Sequence, residues 1–146
     1  MPLSAAGEAK CLNTILTFEP LLCKLYVACA TAGGVPTVAS VVGDYTEPVF
    51  TGYAAKTLTN TVGAGTWAAP AGTPAASQYN AASPQSWTST AGAAQTVLGA
   101  FYVGATSGIY YHGEPFATGQ VYNFTTSPTN TFIPRLVLGG TPAPTS

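Results

Sequence analysis

Asp44 and Glu47 are the only closely spaced carboxylates at a turn-like point of the chain. General acid–base chemistry starts from carboxylate pairs whose environments separate their pKa values. Here the three-residue spacing, followed by Pro48, suits side chains that accept turn amides better than a catalytic pair. His112 is the only histidine and has neither a second histidine nor a nucleophile beside it in sequence. A Ser–His–Asp triad is assembled in space and leaves no spacing to read, but the G-x-S-x-G elbow of a nucleophilic serine is missing. Gly63-Ala64-Gly65 lacks the further glycine and helix of a dinucleotide loop. Cys11, Cys23, Cys29 and His112 show no C-x2-C clustering of the kind a structural zinc site uses. Three cysteines are also too few, and odd in number, for a disulfide scaffold. In Leu21-Leu22-Cys23-Lys24-Leu25-Tyr26-Val27-Ala28-Cys29 the odd positions form one apolar face, so Cys23 and Cys29 are expected as buried free thiols. The expectation is a protein that is not an enzyme, with no metal or cofactor.

Composition narrows the function further. Only 6% of the 146 residues are charged, with four Lys+Arg against five Asp+Glu. A nucleic-acid binder displaces counterions with a basic surface, and four cations do not make one. No run of about 20 uncharged apolar residues reads as a membrane span. Met1-Pro2-Leu3-Ser4 has no basic region of the sort that opens a secretory signal, so Asn123-Phe124-Thr125 reads as a chance glycosylation pattern. Ala, Thr and Gly supply 62 of the 146 residues, and positions 57–113 contain no Asp, Glu, Lys or Arg. Soluble surfaces usually intersperse both signs of charge, so this half is expected either to hydrate through its Thr and Ser hydroxyls or to be covered in large part by other subunits.

The elements follow from hydrophobic spacing. Ser4 is a suitable N-cap, Glu8 sits in a first turn, and Ala5, Ala9, Leu12, Ile15 and Leu16 form a helical stripe that Pro20 closes. Residues 21–30 read as a strand with Lys24 and Tyr26 on its more exposed face. Thr51–Thr61 also alternates as a strand. Residues 62–95 read as loops and short strands, interrupted by Trp67 and Trp87. Strands are then expected at 97–103, 108–112, 121–125 and 131–138, with turns over 104–107, 114–120 and 127–130. The sum is an all-β antiparallel sandwich, jelly-roll-like, with a short N-terminal helix. One domain over 1–146 is expected, with a helical segment at 1–19 and a tail at 141–146.

One block carries a resemblance. Gly43-Asp44-Tyr45-Thr46-Glu47-Pro48-Val49-Phe50-Thr51-Gly52-Tyr53-Ala54-Ala55-Lys56-Thr57-Leu58 resembles a stretch common in small structural proteins of tailed-bacteriophage virions. More loosely, Leu22–Tyr26 is similar to that family's first strand. Val97–Val103 with Tyr110–Phe116 is similar to its later hairpin, and Phe132–Gly139 to its closing strand. The resemblance implies a capsid decoration (cement) protein or another accessory virion protein.

The expected partners are therefore the major capsid protein or other virion proteins, with a homo-oligomer such as a trimer, assembled in the host cytoplasm and resident in the virion. A tail- or fibre-associated adsorption module that presents Trp and Tyr to host glycans, with Tyr102, Tyr110, Tyr111 and Tyr122 as clustered aromatics for stacking on sugars, is the alternative. Candidate interaction or turn-anchoring residues are Asp44, Tyr45, Glu47, Phe50, Tyr53, Trp67 and Trp87. The two tryptophans are expected as interface anchors and the others as supports of the turn.

Overall fold

A computed structural model describes residues 3–37, 39–72, 74–79, 84–123 and 125–138. The tail expected over 141–146 lies outside them. Among the described residues the chain is predominantly β, 45% strand or bridge against 16% helical, with antiparallel pairing throughout the named strands, as the period-two spacing predicts.

Helix α1 (Ala5–Phe18) begins as expected, with the Ser4 hydroxyl accepting from the Gly7 amide at 3.2 Å. It ends at Glu19, whose extended backbone (φ −152°, ψ 159°) is what a following proline imposes. Leu12 and Leu16 are its buried contacts.

The strands are β1 (Leu21–Tyr26), β2 (Ala28–Cys29), β3 (Tyr45–Thr46), β4 (Lys56–Leu58), β5 (Ala76–Gln78), β6 (Gln85–Thr88), β7 (Gln95–Gly104), β8 (Tyr110–Tyr122), β9 (Thr129–Phe132) and β10 (Arg135–Val137). A four-stranded sheet in the order β4-β1-β7-β8 forms the frame, and β2–β3, β5–β10 and β6–β9 are two-stranded ribbons.

Several boundaries differ from the sequence expectation. The strand read over 21–30 breaks at Val27, whose amide donates to the Thr46 carbonyl as the chain leaves the sheet to pair with β3. That break reverses the alternation, so Cys23 lies in the main core and Cys29 in a second cluster rather than on one shared face. Both thiols are nonetheless buried and free. Tyr26, expected on an exposed face, is completely buried in that second cluster. Of the expected 51–61 strand, Lys56–Leu58 pairs as a strand and Thr51 makes an isolated antiparallel bridge to Ala91. The turn expected over 114–120 is absent: β8 runs through it, with the register shifting between Val97 and Gly99 on β7. A bulge in a long hairpin bends the strand without ending it. The closing strand divides instead into β9 and β10, where the Pro134 carbonyl accepts from the Tyr79 amide.

The two sheet faces carry alternate residues of the same strands. Cys23, Leu25, Ala100 and Tyr102 face the larger core with Leu12, Leu16, Trp67, Trp87 and Phe132. Tyr26, Phe101 and Val103 face the other way, against Cys29 and Tyr45.

Candidate functional site

The block from Asp44 to Tyr53 wraps one end of the sheet, and each of its candidate residues has a definite partner. Asp44 closes a single helical turn (Val42–Asp44), its Oδ2 accepting from the Val41 amide at 2.8 Å. That is the amide-capping role expected of it. Glu47 differs: its carboxylate meets side chains, not turn amides. Its Oε1 lies 2.8 Å from Lys24 Nζ, and its Oε2 accepts from the Tyr53 hydroxyl at 2.6 Å. Tyr53 in turn accepts from the Leu25 amide at 3.1 Å, giving β1 a partner beyond the short β4. Burial, followed by the Glu47 carboxylate, pushes the Tyr53 phenol well above its ordinary pKa.

Phe50 anchors the block in the main core, stacked on Tyr122 with ring centroids 4.7 Å apart. Gly52 then turns the chain at φ +99°, and an added Cβ there would collide with the Thr88 carbonyl oxygen. Glycine is required on both counts.

Tyr45 lies on the opposite sheet face. Its ring stacks on Phe101 (4.4 Å, 6° between planes) and meets Tyr26 edge-on at 5.1 Å. Its hydroxyl shares a 2.7 Å hydrogen bond with that of Tyr110. Burial raises both phenols' pKa values. Gly113 makes this packing possible: a Cβ there would meet the Tyr45 hydroxyl and Pro36.

Trp67 and Trp87 correct the sequence expectation. Both are core residues of this chain, 0% and 2% exposed, and not surface anchors. Trp67 packs edge-on against Tyr79, while Trp87 stacks on Phe132 and donates its indole N–H to the Ala54 carbonyl at 2.8 Å. Large aromatics in loop-rich sequence here give short ribbons an interior.

Two buried polar groups were not singled out from the sequence. Glu19 accepts from the Thr106 and Ser107 amides (2.9 and 3.0 Å), the Ser107 hydroxyl and the Tyr111 hydroxyl. The Ser107 hydroxyl and amide do most to hold its carboxyl down at about 2. Glu114 is buried among Tyr102, whose hydroxyl donates to it at 2.5 Å, and the Arg135 amide at 3.1 Å. Nothing local in sequence marks either one, because their partners lie 12 or more residues away.

His112 stacks on Tyr102, and burial, with the nearby Arg135 charge, lowers its pKa to about 4. It is thus a neutral imidazole near pH 7. The Cys23 thiol is pushed up by burial and then by Glu114, which keeps it protonated and unreactive. Among the described residues, no three His, Cys, Asp or Glu side chains converge to hold a metal ion, and no helix is long and apolar enough to cross a membrane.

In this arrangement the carboxylates bind amides, phenols or an ammonium, and the aromatic rings bind one another. The exposed surface is equally informative. Within 57–113 the exposed described residues are Ala, Gly, Ser, Thr and Pro, together with Gln78, Leu98 and Ile109. No known protein family, curated protein or solved structure matches the chain.

Proposed function

We propose that this chain is a non-enzymatic structural protein of a tailed-bacteriophage virion, a capsid decoration or cement protein that stabilises the head through contacts with the major capsid protein. The observation that carries this reading is the exposed surface of 57–113, which is uncharged and built mostly of small or hydroxyl-bearing side chains. Such a surface lets another backbone approach closely and leaves no ion to desolvate. With both tryptophans committed to the core, the contact rests on this surface, its exposed Leu98 and Ile109 included. The block from Gly43 to Leu58, on which the family resemblance rests, supports the same reading. The glycan-binding alternative has less support, because Tyr102 and Tyr122 are completely buried and Tyr110 and Tyr111 are bonded to Tyr45 and Glu19.

Quantitative mass spectrometry of purified particles tests the proposal. A head-decoration protein is present in fixed proportion to the major capsid protein and stays bound above about 0.5 M salt, where the Debye length is only a few ångströms. A handful of copies per particle, absence from the particle, or release by that salt overturns it.

A further inference from the structure

We propose that Tyr45 and Tyr110 form a site of oxidative cross-linking, at which a one-electron oxidant joins the two rings into a dityrosine that fastens β3 to β8. The two hydroxyls share a 2.7 Å hydrogen bond although the residues are 65 positions apart. Their rings are 5.6 Å apart between centroids and 28° from parallel. In dityrosine the new carbon–carbon bond joins carbons ortho to each hydroxyl, so the two oxygens flank it. Two phenols whose hydroxyls already touch are therefore arranged in the sense of the product.

The surroundings hold this arrangement and give it one accessible end. Tyr45 is fixed by its stack on Phe101, by the edge of Tyr26, and by the bare backbone of Gly113 beneath its hydroxyl. Tyr110 is only partly buried at the start of β8, so it is the ring a solvent-borne oxidant reaches. Tyr26 comes nearer to Tyr45, at 5.1 Å between centroids, but meets it edge-on and is completely buried.

The balance is simple. A haem peroxidase acting with hydrogen peroxide removes one electron from each phenol, and each loses its hydroxyl proton. The two phenoxyl radicals couple between ortho carbons, and each of those carbons passes its proton to its own ring oxygen, restoring two phenols. The protein loses two electrons and two protons overall, and these convert one hydrogen peroxide into two waters. Cys29 belongs to the same cluster and is the competing reductant.

The test treats the folded full-length protein with a haem peroxidase and hydrogen peroxide. Intact mass, dityrosine fluorescence and the peptides from cleavage at Lys24, Lys56 and Arg135 are then measured. The expected product is a monomer lighter by two hydrogen atoms, in which the peptide 25–56 is joined to 57–135 through Tyr45 and Tyr110. Tyr45→Phe and Tyr110→Phe should each abolish the link. Tyr111→Phe, on the side of Glu19, should leave it unchanged, and Cys29→Ser should leave it unchanged or raise its yield. Links through other tyrosines, covalent dimers only, oxidation confined to Cys29, or no link in the folded wild type would overturn the proposal. Circular dichroism of each variant separates loss of the site from loss of the fold.

Discussion

The two faces of the central sheet are covered by different means. On one, α1 and the β5–β10 and β6–β9 ribbons bury a broad apolar cluster that runs in sequence from Leu12 to Leu136. On the other, the excursion from Ala28 to Thr46 lays a single tyrosine across Tyr26, Phe101 and Val103. The first face is held by area. The second is held by ring stacking, one shared hydrogen bond and a glycine floor, so a change of one methyl group should tell the faces apart.

The largest effect belongs to the broad face. Trp67→Ala removes a completely buried indole that packs against Tyr79. Large aromatic-to-alanine changes in cores cost about 3–5 kcal/mol, a large fraction of the stability of an ordinary domain. Urea denaturation should show a much lower midpoint or no cooperative transition. A loss under about 1 kcal/mol would mean that the ribbons do not depend on this core.

The next effect is set by pH. His112 has a native pKa of about 4 against an ordinary 6.5, so the unfolded chain takes up the proton first as pH falls. The stability this neutral histidine contributes is complete above about 6.5 and is lost between there and about 4, at most on the order of 3 kcal/mol. Glu19, held at about 2 against 4.5, contributes stability above 4.5 that is lost in turn as pH drops towards 2. Denaturation curves at a series of pH values should show both limbs. His112→Gln should flatten the upper limb and leave the lower. If the upper limb persists in that variant, another group titrates there.

Gly113→Ala addresses the tyrosine face alone. The added methyl would meet Tyr45 and Pro36, and over-packing of this kind typically costs about 1–3 kcal/mol. Hydrogen exchange should rise across 28–46 and stay unchanged in α1. A uniform rise throughout the molecule would show that the two faces unfold as one.

This difference between faces also explains what the sequence revealed. The helix, its cap and the strand class were legible because they rest on local spacing and local capping: Ser4, the Leu12–Leu16 stripe, and Pro20. Asp44 was legible for the same reason, since its amide partner is three residues away. Glu47 was not, because Lys24 lies 23 residues back and only the sheet brings it near. Trp67 and Trp87 were misplaced because low-complexity neighbours gave no sign of a core. Their ring partners, Tyr79 just beyond β5 and Phe132 in β9, lie 12 or more residues away in sequence. Tyr26 was assigned to the wrong environment since period-two alternation says nothing about a second layer covering the outer face.

The smallest effect lies where the faces meet, at the Lys24–Glu47 pair. Lys24 stands on the tyrosine face, 6.0 Å from the Phe101 ring centroid, and its ion pair with Glu47 is partly exposed, with side chains 23% and 35% accessible. Exposed pairs of this sort are worth about 0.2–1 kcal/mol, because water and salt screen the attraction. Glu47 also accepts from the Tyr53 hydroxyl, and the amide oxygen of a glutamine side chain can still accept that bond. Glu47→Gln should therefore lose only the ionic part, whereas Glu47→Ala loses the Tyr53 bond as well and should cost more. A double-mutant cycle with Lys24→Met isolates the ionic part, with an expected coupling below about 1 kcal/mol that shrinks as salt is raised. A coupling above about 2 kcal/mol, or one insensitive to salt, would show that this pair is shielded from solvent. The junction would then belong energetically with the buried face and not with its rim.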